Sequence, residues 1–438
     1  MKITGLLLHP IAVADGPLRS SYGLHAPYAL RTIVELKTSD GLTGISETYG
    51  GDKQLAAFER LRPRVIGMDP FALTSLWQDL TQQDLTRGID HGDRSQTFLV
   101  PGENPLDEPV RAYAAIEVAC LDIIGKAVGK PLCDVVGGRA RSEAPFSAYL
   151  FYKHAGGGGA GDDTREDEYG ECLTPESIVR QAKQMIAKYG FREIKLKGGV
   201  FDPDQEIAAI RALRAEFGPR FPLRIDPNSA WSVDTSVRVG RDLKEELKDG
   251  GYLEDPCAGI DGMAEVRRRL LAEGIETPFA SNVAVTSFAA VPEAWKQDGV
   301  QIVLSDPHYW GGIRKQQQLS NLCEVLGLGL SMHSNNHLGV SMMIMAHAAC
   351  ASPHLTHACD THYPWQTSVD EVVLGGRVPI VDGMVRIGDK PGLGVELDYD
   401  QLARGRERYA KLPYRNRDDE AEMRSRFDPN WRRILPRW

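Results

Sequence analysis

Six polar residues stand at the ends of short apolar runs in the middle of the chain: Lys197, Asp226, Glu254, Asn282, Asp306 and His333. They lie 29, 28, 28, 24 and 27 residues apart, close to one strand plus one helix each time. Asp226, Glu254 and Asn282, on three consecutive runs, are hard oxygen donors that suit Mg²⁺, with water or substrate completing its shell. Asp306 and His333, from the next two runs, can pair, the carboxylate fixing the imidazole tautomer and raising its basicity. Lys197 would be a second base on the opposite side, with Lys195 beside it and partial burial lowering its pKa toward useful values. A divalent ion flanked by a lysine and a histidine suits removal of a proton next to a carboxylate. The ion stabilises the enediolate charge as it develops.

A repeated strand–helix unit must position these residues. Eight apolar runs, "PFSAYLFY", "EIKLK", "PLRIDPN", "GYLEDP", "PFASN", "VQIVLSDP", "GLGLSMH" and "LTHACDTH", are each followed by a helical stretch or a loop after residue 144. That is the pattern and length of a (β/α)₈ barrel, whose chemistry gathers at the C-terminal strand ends. Alternation sends Ile194, Leu196, Leu223, Ile225, Leu330 and Met332 outward, so that Lys195, Lys197, Asp226 and His333 point inward. Before the barrel, "KITGLLLHPIAV", "LRTIVELKT" and "GLTGISETYG" read as an antiparallel meander with its turn at "SDG", and residues 54–85 and 108–129 as helical. The glycine-rich, charged stretch 156–171 reads as a long mobile loop. Thr174-Pro175 then restarts a helix, with Thr174 as its N-cap. The expected organisation is an α+β region over 1–140, the barrel over 141–365 and a C-terminal segment over 366–438.

Composition limits the partners. The chain has 438 residues, 42% hydrophobic and 25% charged, as in an ordinary globular protein. Its net charge of −9, with no long basic run, argues against nucleic acid and anionic membranes as partners. No apolar run approaches the roughly 20 residues that span a bilayer. The N-terminal "MKITGLLLHPIAVADG" lacks a convincing secretion signal. Seven scattered cysteines without a CxxC spacing indicate neither a disulfide framework nor a zinc ribbon, and a reducing cytoplasm is the expected location. His333 and His337 are four apart, but "GLGLSMHSNNH" is a strand leaving into a loop, which weakens a zinc reading.

The motifs "KLKGG", "DPNSAWS", "EDPC", "SN", "DPHYW", "HSNNH" and "DTHYPWQ" jointly resemble the glucarate dehydratase group of the enolase superfamily, in its mandelate racemase-like branch. The resemblance extends to "YGLHAPY", "QTFLV", "YLFY", "KPGLGVELD" and "RDD" and covers nearly the whole chain. It implies an α/β fold: a modified (β/α)₈ barrel under an α+β capping domain built from both chain ends. It also implies Mg²⁺-dependent dehydration of a hexaric acid, D-glucarate and often L-idarate, to 5-keto-4-deoxy-D-glucarate. By motif position, Asp226, Glu254 and Asn282 would be the metal ligands. His333, paired with Asp306, would take the C5 proton of D-glucarate, and Lys197 would serve the opposite configuration. Lys195 and Asn228 would contact the substrate carboxylate and oxyanion. His25, Thr97, Tyr149, Ser334, Asn335, His362 and Arg417 match positions that hold the diacid.

"PGENPLDEP" (101–109) departs from the family pattern and leaves the preferred diacid open, galactarate and talarate included. Two further readings stay open: a Schiff-base aldolase on Lys197 or Lys195, and a relative that binds diacids without catalysis. The expected partner is a small diacid sugar, and a homo-oligomer is the expected assembly.

Overall fold

The computed structural model describes residues 1–82 and 107–438. Strand β1 (Ile3–Ala14) pairs antiparallel with β2 (Tyr28–Thr38), and β2 with β3 (Thr43–Tyr49), as the meander requires. Helices α1 (Asp52–Val65), α2 (Leu73–Gln82) and α3 (Asp107–Val128) follow. The described part of the region read as helical, 54–82, thus holds two helices. Gly67, at φ +85°, and Pro70 stand between them and neither continues a helix. Helix α3 lies so close to β3 that a Cβ on Gly44 would come within 2.0 Å of the Ala119 carbonyl oxygen.

Seven short strands form one parallel sheet in chain order: β4 (Ala148–Phe151), β5 (Ile194–Lys197), β6 (Leu223–Asp226), β7 (Tyr252–Glu254), β8 (Phe279–Ser281), β9 (Ile302–Ser305) and β10 (Gly329–Met332). The helices that follow β4 to β10 are α4 (Pro175–Tyr189), α5 (Pro203–Phe217), α6 (Val233–Asp242), α7 (Gly259–Leu271), α8 (Val291–Lys296), α9 (Ile313–Leu326) and α10 (Gly339–Cys350). Ile194, Leu196, Leu223 and Ile225 are fully buried, each stabilising the fold by roughly 1.5–3 kcal/mol. Thr174 caps α4 as expected, accepting from the Ser177 amide, and Gly190 ends that helix in the left-handed region at φ +71°.

The eighth run, "LTHACDTH", forms no strand, which corrects the expectation of eight. The amides of Thr356 and His357 both donate to the Leu330 carbonyl, so the chain slips out of register with β10. It still fills the gap between the last and first strands. The Asp360 amide donates to Met332, the Cys359 amide to Pro145, and the Ser147 amide back to Cys359. The stretch 156–171, expected to be mobile, is fastened: Lys153 pairs with Asp167 at 2.8 Å, and Arg165 with Asp370 at 2.9 Å.

The C-terminal segment returns to the N-terminal strands. Helix α11 (Tyr399–Lys411) lies on β1, where Arg408 Nε donates to the Ala12 carbonyl at 3.0 Å. Helix α12 (Asp419–Arg426) packs on the turn at Gly23.

Four barrel helices, α7 to α10, have no side-chain cap of their own, and the N-terminal elements supply acceptors to the last two. Glu117 of α3 accepts the first two amides of α9, Ile313 and Arg314, both at 3.1 Å. Glu47 of β3 accepts Leu338 and Ser341 at the start of α10, at 2.9 and 2.8 Å. Among the described residues no helix is long and apolar enough to cross a membrane, and all seven cysteines are free and buried.

Candidate active site

Lys197, Asp226 and Glu254 are the last residues of β5, β6 and β7, while Asn282, Asp306 and His333 directly follow β8, β9 and β10. The parallel register sets Lys197 beside Asp226. Lys197 Nζ donates to Asp226 Oδ2 at 2.7 Å, and the Tyr149 hydroxyl approaches the same oxygen at 3.4 Å. Burial works against the Asp226 anion, but Lys197 and Lys195 outweigh it and hold the carboxyl well below the usual range.

Lys195 sits one layer deeper and is fully buried. Its ammonium donates to Glu254 Oε1 and Asp360 Oδ2, both at 2.6 Å, and lies 3.3 Å from Asp226 Oδ2. Burial alone would lower its pKa, yet Asp360 and Glu254 hold it well above the ordinary lysine range. Lys195 is thus a compensated charge beside Lys197, taken up by three protein carboxylates.

Asp226, Glu254 and Asn282 stand at neighbouring strand ends, Asp226 and Glu254 both on Lys195 and Asn282 beside Glu254. Among the described residues no group of three or more His, Cys, Asp or Glu could hold a metal ion, and the third donor of this trio is an amide. The fit to a hard cation rests on two observations. Glu254 Oε2 is buried without a hydrogen-bond partner, and burial next to Asp226 pushes the Glu254 carboxyl far up even with Lys195 on its other oxygen. The position facing Glu254 Oε1 at 2.9 Å is held by one end of the Asn282 amide. The nitrogen there would donate to the carboxylate, whereas two oxygens tolerate that spacing around a cation or with a proton between them. Asp255 steadies this side. Its carboxylate accepts from Ser281 Oγ at 2.6 Å and from the Asn282 amide at 2.9 Å, while burial pushes it up to about 6.

Asp306 is the most heavily hydrogen-bonded of the six. Its Oδ1 accepts the backbone amide and Nδ1 of His308, at 2.8 and 2.6 Å. Its Oδ2 accepts His333 Nδ1 at 3.1 Å and the Tyr49 hydroxyl at 3.0 Å. Burial disfavours the anion, but His308 and His333 hold Asp306 far below the usual carboxylate range. With Nδ1 spent on Asp306, the basic atom of His333 is Nε2. Ser341 Oγ donates to His308 Nε2 at 2.7 Å, so His308 is itself fixed.

Around this centre, Asn228 takes a left-handed turn at φ +47°, and its side-chain oxygen accepts from the Tyr22 hydroxyl at 2.7 Å. His25 Nδ1 lies 3.0 Å from Asp15 Oδ2, to which Arg417 also donates at 3.3 Å. Arg417 further reaches Asn336 Oδ1 at 3.2 Å and pairs with Asp419 at 2.7 Å. The His362 ring packs edge-on to Tyr149, and its Nδ1 shares a 2.8 Å hydrogen bond with Ser334 Oγ. Burial, then His25 and His333, push His362 well below the usual histidine range. Asn335 bonds within its own loop, to the Asn336 amide. Thr97 and most of the 101–109 stretch lie outside the described residues. Tyr22, Tyr49, Asp255, His308 and Asp360 were not picked out from the sequence. All but Tyr49 fall inside or beside the motifs quoted above, which was the available signal.

Residues 8–137 match the mandelate racemase/muconate lactonizing enzyme N-terminal domain, and residues 177–402 the enolase C-terminal domain-like family. The chain belongs to the enolase superfamily. Within the superfamily it is 43% identical to a probable glucarate dehydratase of Streptomyces coelicolor, over 100% of this chain and 99% of the relative. It resembles a crystal structure of an enolase from Pseudomonas fluorescens with bound magnesium, potassium and tartrate. The two are 44% identical with a TM-score of 0.91, over 100% of this chain and 99% of that one. It also resembles an enolase of Thermobispora bispora complexed with magnesium and formate (45% identical, TM-score 0.90, 100% of both chains).

Proposed function

We propose that the protein is a Mg²⁺-dependent dehydratase of a hexaric acid, converting D-glucarate and its C5 epimer L-idarate to 5-keto-4-deoxy-D-glucarate. One observation carries the reading. Two proton-handling groups, Lys197 on Asp226 and His333 on Asp306, stand at the ends of β5 and β10, with the oxygen-donor trio on three of the strands between them.

His333 would take the C5 proton of D-glucarate at Nε2, and Lys197 that of the opposite configuration, so that both epimers lead to one product. Asp226, Glu254 and Asn282 would hold Mg²⁺, which when bound offsets the charge that develops on the substrate carboxylate as the proton leaves. The C4 hydroxyl departs as water, and protonation of the resulting enol yields the ketone. Asn228, His25, Tyr149, Ser334, Asn335, His362 and Arg417 are proposed to hold the diacid. The glucarate dehydratase relative supports this substrate class, as does the tartrate-bound neighbour, since tartrate is itself a hydroxylated diacid. A Schiff-base aldolase fits less well, because Lys195 is held as an ammonium by Glu254 and Asp360. Seven free thiols suit a reducing cytoplasm.

Incubation with D-glucarate and Mg²⁺ in D₂O, followed by proton NMR, should show deuterium at C5 and conversion to the keto acid, and EDTA should stop both. Absence of exchange and turnover for every hexarate, with metal present, would sink the reading.

A further inference from the structure

Glu206 is a fully buried carboxylate that takes no part in the chemistry above. It stands in the first turn of α5, and among the described residues no basic side chain hydrogen-bonds it. Instead it accepts three consecutive backbone amides: Gly199 on Oε2 at 2.9 Å, and Val200 and Phe201 on Oε1 at 2.8 and 3.1 Å. Successive amides converging on one anion form a nest, here filled from within the chain. Burial pushes the carboxyl up to about 7 against the pull of these amides.

The loop so held is the one that leaves Lys197. Its other side lies on the turn that carries Asp226 and Asn228. The Gly198 amide donates to the Asp226 carbonyl at 2.9 Å, and a Cβ on Gly199, at φ +73°, would come within 2.4 Å of the Pro227 carbonyl oxygen. A Cβ on Gly198 would lie 2.8 Å from Glu206 Oε2. Glycines at 198 and 199 thus let the chain pass between the carboxylate and the turn with no space to shift. His333 has a separate support in Asp306, four strands away along the sheet from Glu206's loop.

We propose that Glu206 is a positioning residue for Lys197: it clamps the Gly198–Phe201 loop and thereby sets where the Lys197 side chain meets Asp226. The proposal rests on the reading of Lys197 as the base for one C5 epimer, and its effect is one-sided. Glu206→Gln keeps the shape but offers one acceptor oxygen instead of two. The ratio of L-idarate to D-glucarate turnover should fall roughly 10–100-fold, the loss expected when a reacting group is misplaced by about 1 Å. The fall should lie in kcat, with KM little changed. Gly199→Ala presses the loop onto the Pro227 turn that carries Asp226 and Asn228 and should instead lower turnover of both epimers.

An unchanged ratio in Glu206→Gln would overturn the proposal. Backbone hydrogen exchange, read by mass spectrometry on a peptide spanning the loop, is independent of activity. Glu206→Gln should speed exchange there and leave the segment around His333 as in the wild type. If the wild type turns over neither epimer, the functional reading fails by itself. Unchanged exchange at 198–201 would then still overturn the clamp, and faster exchange would uphold it.

Discussion

Replacing Asp306 with asparagine keeps the shape of the side chain and removes its ability to accept on both ends. The carboxylate receives two donors on each oxygen: the His308 amide and Nδ1 on one, His333 Nδ1 and the Tyr49 hydroxyl on the other. An asparagine has one acceptor oxygen. The backbone amide of His308 cannot turn away, so the new oxygen must face it, and the NH₂ group must face His333 and Tyr49. Tyr49 can rotate its hydroxyl to accept. His333 can stay only by presenting an unprotonated Nδ1, which places the proton on Nε2, the atom that would act as base. A wrong imidazole tautomer costs roughly 10³–10⁴ in rate, or about 4–5.5 kcal/mol of barrier. The assay is C5 deuterium exchange and kcat for D-glucarate and L-idarate in parallel. Asp306→Asn should lose three to four orders of magnitude on D-glucarate, roughly, and far less on L-idarate. A D-glucarate rate within about tenfold of wild type would refute the assignment of His333 as a base set by Asp306.

Other outcomes follow from the same geometry. Lys195→Met leaves Glu254 and Asp360 buried without their cation, and should lower unfolding free energy by about 3–5 kcal/mol in urea titrations. An unmoved midpoint would mean that the carboxylates do not depend on this lysine. Burial raises the Glu117 carboxyl from 4.5 to about 7, so the folded state holds its proton more tightly than the unfolded chain. Its contribution is full below the unfolded value and is lost as pH rises through about 7, on the order of 3 kcal/mol in all. Glu117→Gln cannot ionise, and it should flatten the fall in stability between about pH 5 and about pH 8. Equal slopes in wild type and variant would contradict this. Thr174→Ala removes the α4 cap and should cost about 1 kcal/mol of stability, measured by thermal melting, with turnover unchanged.

The positions of the six strand-end residues were legible because the βα unit recurs at nearly constant length, and alternation fixes which side faces inward. The last run, "LTHACDTH", was not. It has the composition of a strand, but two of its amides share the Leu330 carbonyl, and nothing in residue type signals that slip. The environment of Lys195 was hidden for the same reason, since Asp360 lies in that irregular stretch, 165 residues along the chain. Tyr49 was hidden differently. Its strand and its alternation were readable, yet its bond to Asp306 spans 257 residues and depends on how the N-terminal strands seat on the barrel. The break between α1 and α2 could have been read from Gly67 and Pro70.

Glu47 and Glu117 bear on how this protein can open. Each is rooted in the N-terminal elements yet completes a helix of the barrel, α10 and α9, that lacks a cap of its own. Swinging the N-terminal region away as a rigid flap would take an acceptor from each helix start, leaving α10 only Glu371. It would also part Glu117 from the amides it accepts, while Glu47 kept Arg31. Access for substrate is therefore better assigned to peripheral loops, with the N-terminal region serving as fixed masonry. Exchanging that region between relatives would succeed only where the incoming piece brings acids at both places.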